Sequence, residues 1–237
     1  VQSKRLGRSL GINLSPLDRK VCSFDCVYCH YGRTIPGPYT LPDSEEILEE
    51  VKEALLKRPE IDFITFAGHG EPTLHMDLLK IAASIVKMRD EIMPEIKVAL
   101  LTNSSTLSRP DVASVCKTID APICKLDAGD EETFRRVNRA RPNIRLEDIV
   151  RNIRATPNAI VQIMMVEGEL GNASEKDIDK LIHALNEAAP SFVQVYSIDY
   201  PFEESSLVPV SNEELQRIAD VINRETGIEA RAYWELN

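Results

Sequence analysis

The chain reads as an α/β protein of parallel strands, an open, partial (β/α)6 barrel of the TIM-like kind. Three observations predict it. Strand-like and helix-like segments alternate from one end to the other, no hairpin signal joins neighbouring strands, and each strand runs out into a cluster of glycine and polar residues. Alternation without hairpins implies parallel strands joined by right-handed crossovers. Six strand–helix units are fewer than the eight that close a full barrel. A doubly wound open sheet is the alternative, since a single sequence leaves strand order open.

The first strand is short, residues 11–14 (GINL), and leads into a loop with three cysteines. Asp43 and Glu46 then make a capping box for a helix whose Ile47, Leu48, Val51 and Leu55 fall at helical spacing. Residues 61–67 (IDFITFA) are rich in β-branched and aromatic side chains and form strand two. An amphipathic helix over 76–88 precedes strand three at 97–101 (KVALL). Pro110 opens a helix over 110–119 with Val112, Val115, Cys116 and Ile119 on its apolar side. Strand four is 123–126, followed by a helix over 146–155. Strand five, 160–166 (IVQIMMV), has a buried character. A capped helix over 174–188 follows, with Ile178, Leu181, Ile182 and Leu185 on one face. Strand six is 192–198 (FVQVYSI), and a helix over 213–224 precedes a terminal strand near 230–234. No repeat, low-complexity tract or linker interrupts the series. One domain over 1–237 is expected, with its core over about 9–200 and a C-terminal helix and strand over about 211–237.

Charge limits the partners. The chain has 28 basic and 38 acidic residues, a net of −10, which argues against a surface that broadly embraces nucleic acid. The exception is local. Residues 134–145 (FRRVNRARPNIR) carry Arg135, Arg136, Arg139, Arg141 and Arg145 with no acid among them. Helical spacing puts Arg135 and Arg139 on one side; the run is either an anion site or a solvated helix face. No apolar run approaches the ~20 residues of a membrane span, and no signal-peptide pattern is present, so a cytoplasmic setting without a membrane partner is expected.

Five cysteines without a secretion signal do not read as a disulfide framework. Three of them, Cys22, Cys26 and Cys29, fall in a C-x3-C-x2-C spacing after the first strand. Structural zinc takes four N or S ligands, and no second pair follows. A redox pair at Cys26 and Cys29 would leave Cys22 without a role. A cubane cluster takes four thiolates; three leave one iron open to a ligand. Cys116 and Cys124, on a helix's apolar side and in a strand, read as core residues. Strand two ends at residues 68–73 (GHGEPT), strand three at 102–105 (TNSS), strand four at 127–130 (DAGD), strand five at 167–169 (EGE) and strand six at 199–201 (DYP). In parallel α/β architectures such loops share one rim, where active sites form.

The cysteine spacing resembles that of the radical SAM (S-adenosylmethionine) superfamily, and the likeness extends further. Tyr28 gives the C-x3-C-x-aromatic-C form, and residues 68–72 (GHGEP) are similar to the superfamily's Gly-Glu-Pro motif, with His69 in place of a commoner glycine. Residues 5–14 (RLGRSLGINL), 70–75 (GEPTLH), 101–104 (LTNS) and 126–132 (LDAGDEE) resemble the small Fe–S oxidoreductases related to the tRNA wyosine-forming enzymes. The additional N-terminal cysteine set of the wyosine enzymes has no counterpart before Cys22.

The resemblance implies a radical SAM type of partial barrel and a metal-binding oxidoreductase with a [4Fe–4S] cluster on Cys22, Cys26 and Cys29. It implies that SAM is cleaved reductively there, giving a 5′-deoxyadenosyl radical that abstracts a substrate hydrogen. A ferredoxin- or flavodoxin-type protein would supply the electron. Gly70, Glu71 and Pro72 would receive the SAM amino group, Thr102, Asn103 and Asp127 the ribose hydroxyls and methionine carboxylate, and Tyr28 would lie against the adenine. Each has a plainer reading: a strand-exit turn for the first three, helix caps for the next three, a core tyrosine for the last. His69 would reach the substrate or the cluster, or hold the turn. The substrate is an RNA base or another anionic molecule; the alternative is a radical-generating activase or peptide modifier acting on protein. A non-catalytic Fe–S electron carrier is the third class, one with little use for six polar rim loops.

Overall fold

The computed structural model describes residues 1–57, 59–199 and 206–234. A two-residue strand β1 (Gln2–Ser3) turns back into β2 (Gly7–Ile12). After the cysteine loop come α1 (Ser44–Leu56), β3 (Phe63–Phe66), a 3-10 turn (Pro72–Leu74), α2 (Leu78–Ile92), β4 (Lys97–Thr102) and α3 (Pro110–Thr118). The second half continues with β5 (Ala121–Lys125), α4 (Glu131–Asn138), α5 (Leu146–Ala155), β6 (Ile160–Glu167), α6 (Glu175–Ala188) and β7 (Phe192–Ser197). It closes with β8 (Val208–Pro209), α7 (Asn212–Thr226) and β9 (Ala230–Tyr233).

The strands lie side by side in the order β1-β2-β3-β4-β5-β6-β7-β9, with β8 attached to β6. Pairing is parallel from β2 through β7 and on to β9, while β1 and β8 pair antiparallel. Strand order follows chain order, so there is no reversal of winding, and the doubly wound alternative does not apply. This is the open, partial barrel expected.

Three apolar clusters hold it, and two of them flank the sheet. The larger lies between the sheet and its helices, where Leu55 of α1, Ile81 and Ile85 of α2, Ile149 and Ile153 of α5 and Ile218 of α7 are buried against Val98, Leu100, Val161 and Val193. The smaller fills the barrel's floor, with Leu6 from the β1–β2 turn against Ala99, Ala121 and Ile123. Helix starts follow their capping residues: Asp43 accepts from the amides of Glu45 and Glu46, Ser174 from Asp177, and Ser211 from Glu214.

Three expectations shift. The first barrel strand is 7–12 rather than 11–14, because residue 13 leaves the ladder to serve the rim. The second helix starts at Leu78, with Met76 exposed outside it. Between β5 and β6 there are two helices where the sequence suggested one. The extra helix, α4, is capped by Asp130, which accepts from the Thr133 amide, and it ends at Asn138. Arg139 sits beyond it in the left-handed conformation, so it does not share a helical side with Arg135. No helix among the described residues is long and apolar enough to cross a membrane.

Candidate active site

The strands' C-terminal ends converge on a cavity of about 480 Å³. Cys22, Cys26 and Cys29 line it, together with Tyr28, Gly70, Glu71, Thr102 and Asn103. Pro72 is buried in the 3-10 turn and Asp127 sits behind Tyr28; neither reaches the cavity. Asp199 lines it, while Tyr200 and Pro201 of the sixth rim cluster lie outside the described residues.

The cysteine loop is held from three sides. Lys20, almost wholly buried, donates to Asp25 Oδ1 at 3.1 Å and to the Gly32 carbonyl at 2.8 Å, drawing the two ends of the loop together. Asp25 Oδ1 also accepts from the Thr34 amide at 2.7 Å, and these donors hold its carboxyl below the usual range against the opposing effect of burial. The end of α4 forms the second clamp. The carbonyls of Asn138 and Val137 accept from the amides of Asp25 (3.1 Å) and Val27 (2.9 Å), and the Arg141 amide donates to the Ser23 carbonyl. Carbonyls at a helix's C-terminal end lack helical partners, so they are free to bind this loop.

The Gly-Glu-Pro turn is the third clamp. Val21 bridges to Gly70, and the Glu71 amide donates to the Val21 carbonyl at 2.9 Å. The approach is so close that a Cβ on Gly70 would stand 1.9 Å from the Val21 carbonyl oxygen. Gly70→Ala is therefore expected to unseat the cysteine loop. The contact is with backbone, so the cost should reach the upper part of the overpacking range, about 3 kcal/mol. Urea unfolding and the iron content after anaerobic reconstitution would measure it, and wild-type values in both would disprove the docking role.

Glu71 is 3% exposed and fully engaged. Its Oε1 accepts from the Thr73 amide (3.2 Å) and from the hydroxyls of Thr73 (2.6 Å) and Thr102 (2.7 Å), and its Oε2 accepts from the Asn103 amide (2.7 Å). Burial raises its pKa in spite of these donors. Glu71 thus ties the exit of β4 to the Gly-Glu-Pro turn. Asn103 carries that link to the sulfurs, donating through Nδ2 to Ser23 Oγ at 2.8 Å and to Cys22 Sγ at 3.5 Å.

Asp127 is a second buried hub. It accepts from the Tyr28 hydroxyl, from Asn138 Nδ2 at 2.7 Å and from the Met164 amide at 2.8 Å, and it pairs with Lys125 at 3.3 Å. Asn138 Nδ2 lies 3.4 Å from Cys26 Sγ. Burial and the neighbouring Asp127 hold the Tyr28 hydroxyl well above its usual range, so it stays a donor. His69 does not line the cavity; its ring packs edge-on against Tyr31 at 4.5 Å, and its Nδ1 is buried without a hydrogen-bond partner.

Lys20, Lys125, Asn138 and Arg5 were not singled out from the sequence as site residues, although Lys125, Arg5 and the cysteines share one cavity. The arginine run is also used differently from its sequence reading. Arg135 donates to the carbonyls of Ala140, Arg141 and Ile144 and pairs with Glu131, and Arg136 pairs with Asp177 and donates to the Gly171 carbonyl. Arg141 donates to the Cys22 carbonyl at 3.3 Å. Arg141 thus braces the cysteine loop, while Arg135 holds the segment that follows α4 and Arg136 ties α4 to the start of α6.

The thiols fit a cluster. All five cysteines are free, and three face one cavity. Burial, then the Glu71 charge, pushes the Cys22 thiol up to about 12, and burial raises Cys26 as well. Such thiols surrender their protons when a metal takes the sulfur. N–H groups of Phe24 and Asn103 already point at Cys22 Sγ and that of Asn138 at Cys26 Sγ, the kind of donors that orient metal-bound thiolates. Among the described residues no three Cys, His, Asp or Glu side chains gather closely enough to share one ion. A cubane does not ask that of them, since each thiolate takes a different iron.

A half-barrel of parallel strands with a three-cysteine rim loop seated on a Gly-Glu-Pro turn defines the radical SAM class of proteins. The sequence model of the radical SAM superfamily matches residues 20–184, and the chain belongs to that superfamily. It is 32% identical over 236 residues to a UPF0026 protein of Methanocaldococcus jannaschii, covering 96% of this chain and 71% of that protein. It is 33% identical to GTPase Obg of Brachyspira hyodysenteriae over 100% of this chain but only 33% of that protein, so it spans a third of that relative's length. Among solved structures, Streptococcus suis SuiB bound to S-adenosylmethionine matches with TM-score 0.69 at 12% identity, over 98% of this chain and 52% of SuiB. A structure of TYW1, a wyosine-forming enzyme, with a lysine–pyruvate adduct bound matches with TM-score 0.63 at 15% identity, over 93% of this chain and 75% of that one. At these identities the structural likeness is one of fold.

Proposed function

We propose that this protein is a radical SAM enzyme with a single [4Fe–4S] cluster held by Cys22, Cys26 and Cys29, and that SAM binds beside it in the barrel mouth. The observation that carries the reading is the seating of three free, cavity-lining thiols on the Gly70–Glu71 backbone, with N–H groups aimed at two of the sulfurs. The bound cluster and SAM would supply a 5′-deoxyadenosyl radical that takes a hydrogen atom from the substrate. The chain's own residues set the stage for that chemistry. Lys20 and the end of α4 hold the loop, and Glu71 and Asp127 fix the rim at the exits of β3 and β5.

The engagement of Arg135 and Arg136 with the chain's own groups weakens the support those residues lend to an RNA substrate. A substrate group that enters the barrel, whether free or part of a larger molecule, fits the cavity better. Anaerobically reconstituted protein is expected to hold about four irons and four sulfides. After reduction with dithionite it should release 5′-deoxyadenosine and methionine from SAM, slowly without substrate. A cluster that forms but leaves SAM intact would favour an electron carrier instead.

A further inference from the structure

The cavity changes character with depth. Side chains two apart along a strand share a face. Ala121, Ile123 and Lys125 of β5 therefore point the same way, and the first two pack into the barrel's floor. Lys125 lines the cavity above them, beside Gln162 of β6 and Tyr196 of β7. These side chains form a hydrogen-bonded chain along the inner wall. Lys125 Nζ donates to the Tyr196 oxygen at 3.0 Å, the Tyr196 hydroxyl to Gln162 Oε1 at 3.2 Å, and Gln162 Nε2 to Gln194 Oε1 at 2.9 Å. Arg5 arrives from the other direction. It belongs to the β1–β2 turn at the strands' N-terminal end, and its guanidinium lies over the Tyr196 ring, 3.9 Å from the centroid.

Two cations thus meet on one tyrosine inside the barrel, and among the described residues Asp127 is the one carboxylate within ion-pair distance of either. Lys125 pairs with Asp127, but that carboxylate also accepts from Tyr28, Asn138 and Met164. An ammonium has three N–H donors; Tyr196 accepts from one, and Asp127 stands 3.3 Å away as an ion-pair partner. Among the described residues no carboxylate lies within ion-pair distance of the Arg5 guanidinium. Glu71, the other buried acid of the cavity, is already saturated by donors from Thr73, Thr102 and Asn103. Burial lowers the Lys125 pKa, yet Asp127 and Tyr196 raise it by more, so the group is a cation at neutral pH and not a nucleophile. Polar groups and charge gathered inside a cavity need a partner of opposite sign.

We infer that Arg5, Lys125 and Tyr196 form an oxyanion site for the substrate, a small acid or an acidic group whose carboxylate or phosphate is held deep in the barrel while the rest of the molecule extends toward the cysteine loop. The inference rests on the radical SAM reading and narrows its substrate class. With Asp127 paired to Lys125, and Glu71 and Asp199 also on the cavity wall, a carboxylate monoanion fits the site better than a phosphate dianion. Arg5 supplies a planar fork of donors suited to two oxygens, and Lys125 a compact charge.

The test uses the full chain, cluster-loaded and anaerobic, titrated with butyrate and separately with inorganic phosphate by ligand-observed NMR, with and without SAM. Either probe should bind, butyrate the more tightly, and SAM should leave the site open. The dissociation constant of the bound probe should rise at least tenfold in Lys125→Met and severalfold in Arg5→Gln and Tyr196→Phe; if phosphate is the probe that responds, the headgroup is a phosphate. Arg5 stands on a turn, so its variant remains informative even if Lys125→Met folds poorly. The inference is overturned if neither probe binds, if binding is unchanged in Arg5→Gln and Lys125→Met, or if SAM displaces the probe one for one, which would make this SAM's own carboxylate site. None of these readouts needs a radical. Failure to cleave SAM would therefore count against the proposed function and leave the anion site standing.

Discussion

Alanine at Cys22, Cys26 or Cys29 is expected to abolish cluster assembly, whereas alanine at Cys116 or Cys124 should leave it intact. The contrast follows from which way the sulfurs face. The first three line the cavity, where Phe24, Asn103 and Asn138 present N–H groups to two of them. Cys116 of α3 and Cys124 of β5 lie in the apolar layer between sheet and helices, 3% and 0% exposed. Neither thiol lines the cavity where the other three gather, so neither can reach a cluster held there. With only three anchors, a cubane that loses one has no spare ligand on the chain. Iron and sulfide content after anaerobic reconstitution measures the effect, and it should fall to the level of a non-specific control in each of the first three variants. Retention of about four irons in any one of them would remove that cysteine from the ligand set. Eight irons in the wild type would mean a second cluster.

Much of this site could be read before any coordinates, because its signals are local. Cysteine spacing, the Gly-Glu-Pro turn and polar residues at each strand exit are short-range patterns, and sequential α/β alternation implies a common rim. Partners across the barrel are not local. Glu71 and Asp127 stood out as polar rim residues, but only the fold reveals that Thr102, Asn103, Tyr28 and Asn138 occupy their oxygens. Lys125 ends a strand whose residues are buried on both faces, so no alternation in Ala121–Lys125 marks it as inward-facing. Helix α4 spans eight residues and buries two apolar side chains, Phe134 and Val137, too few to set a helical period against three charges of each sign at its two ends and cap. The five arginines around it drew attention as a charged run. The partners of Arg135, Arg136 and Arg141 are carbonyls and acids as far as 119 residues away, and they carry no sequence signature.

Removal of the Asp127 carboxylate is expected to be the most destabilising change at the rim, and the loss should be largely reversed by removing Lys125 as well. Asp127 is 2% exposed, and three hydrogen-bond donors and the Lys125 ammonium converge on it. In Asp127→Ala the Lys125 ammonium loses its carboxylate while still enclosed, and the Tyr28 hydroxyl and Asn138 amide lose an acceptor. Breaking a buried pair from one side in this way costs about 3–5 kcal/mol. Lys125→Met should cost less, since Asp127 keeps its three hydrogen-bond donors. The double variant Asp127→Ala/Lys125→Met removes both charges, so it should be more stable than Asp127→Ala alone, a non-additivity expected of residues in direct contact. Urea unfolding of all four proteins measures the cycle. The damage should also spread to the cysteine loop, because Asn138 binds both Asp127 and the Asp25 amide. Iron retention in Asp127→Ala should therefore fall even where the protein remains folded, and the loss should track the position of Asn138 rather than direct contact of Asp127 with SAM. Strict additivity in the cycle would mean that the ion pair contributes nothing. Full iron retention together with weakened SAM binding would return Asp127 to the role of a SAM ligand.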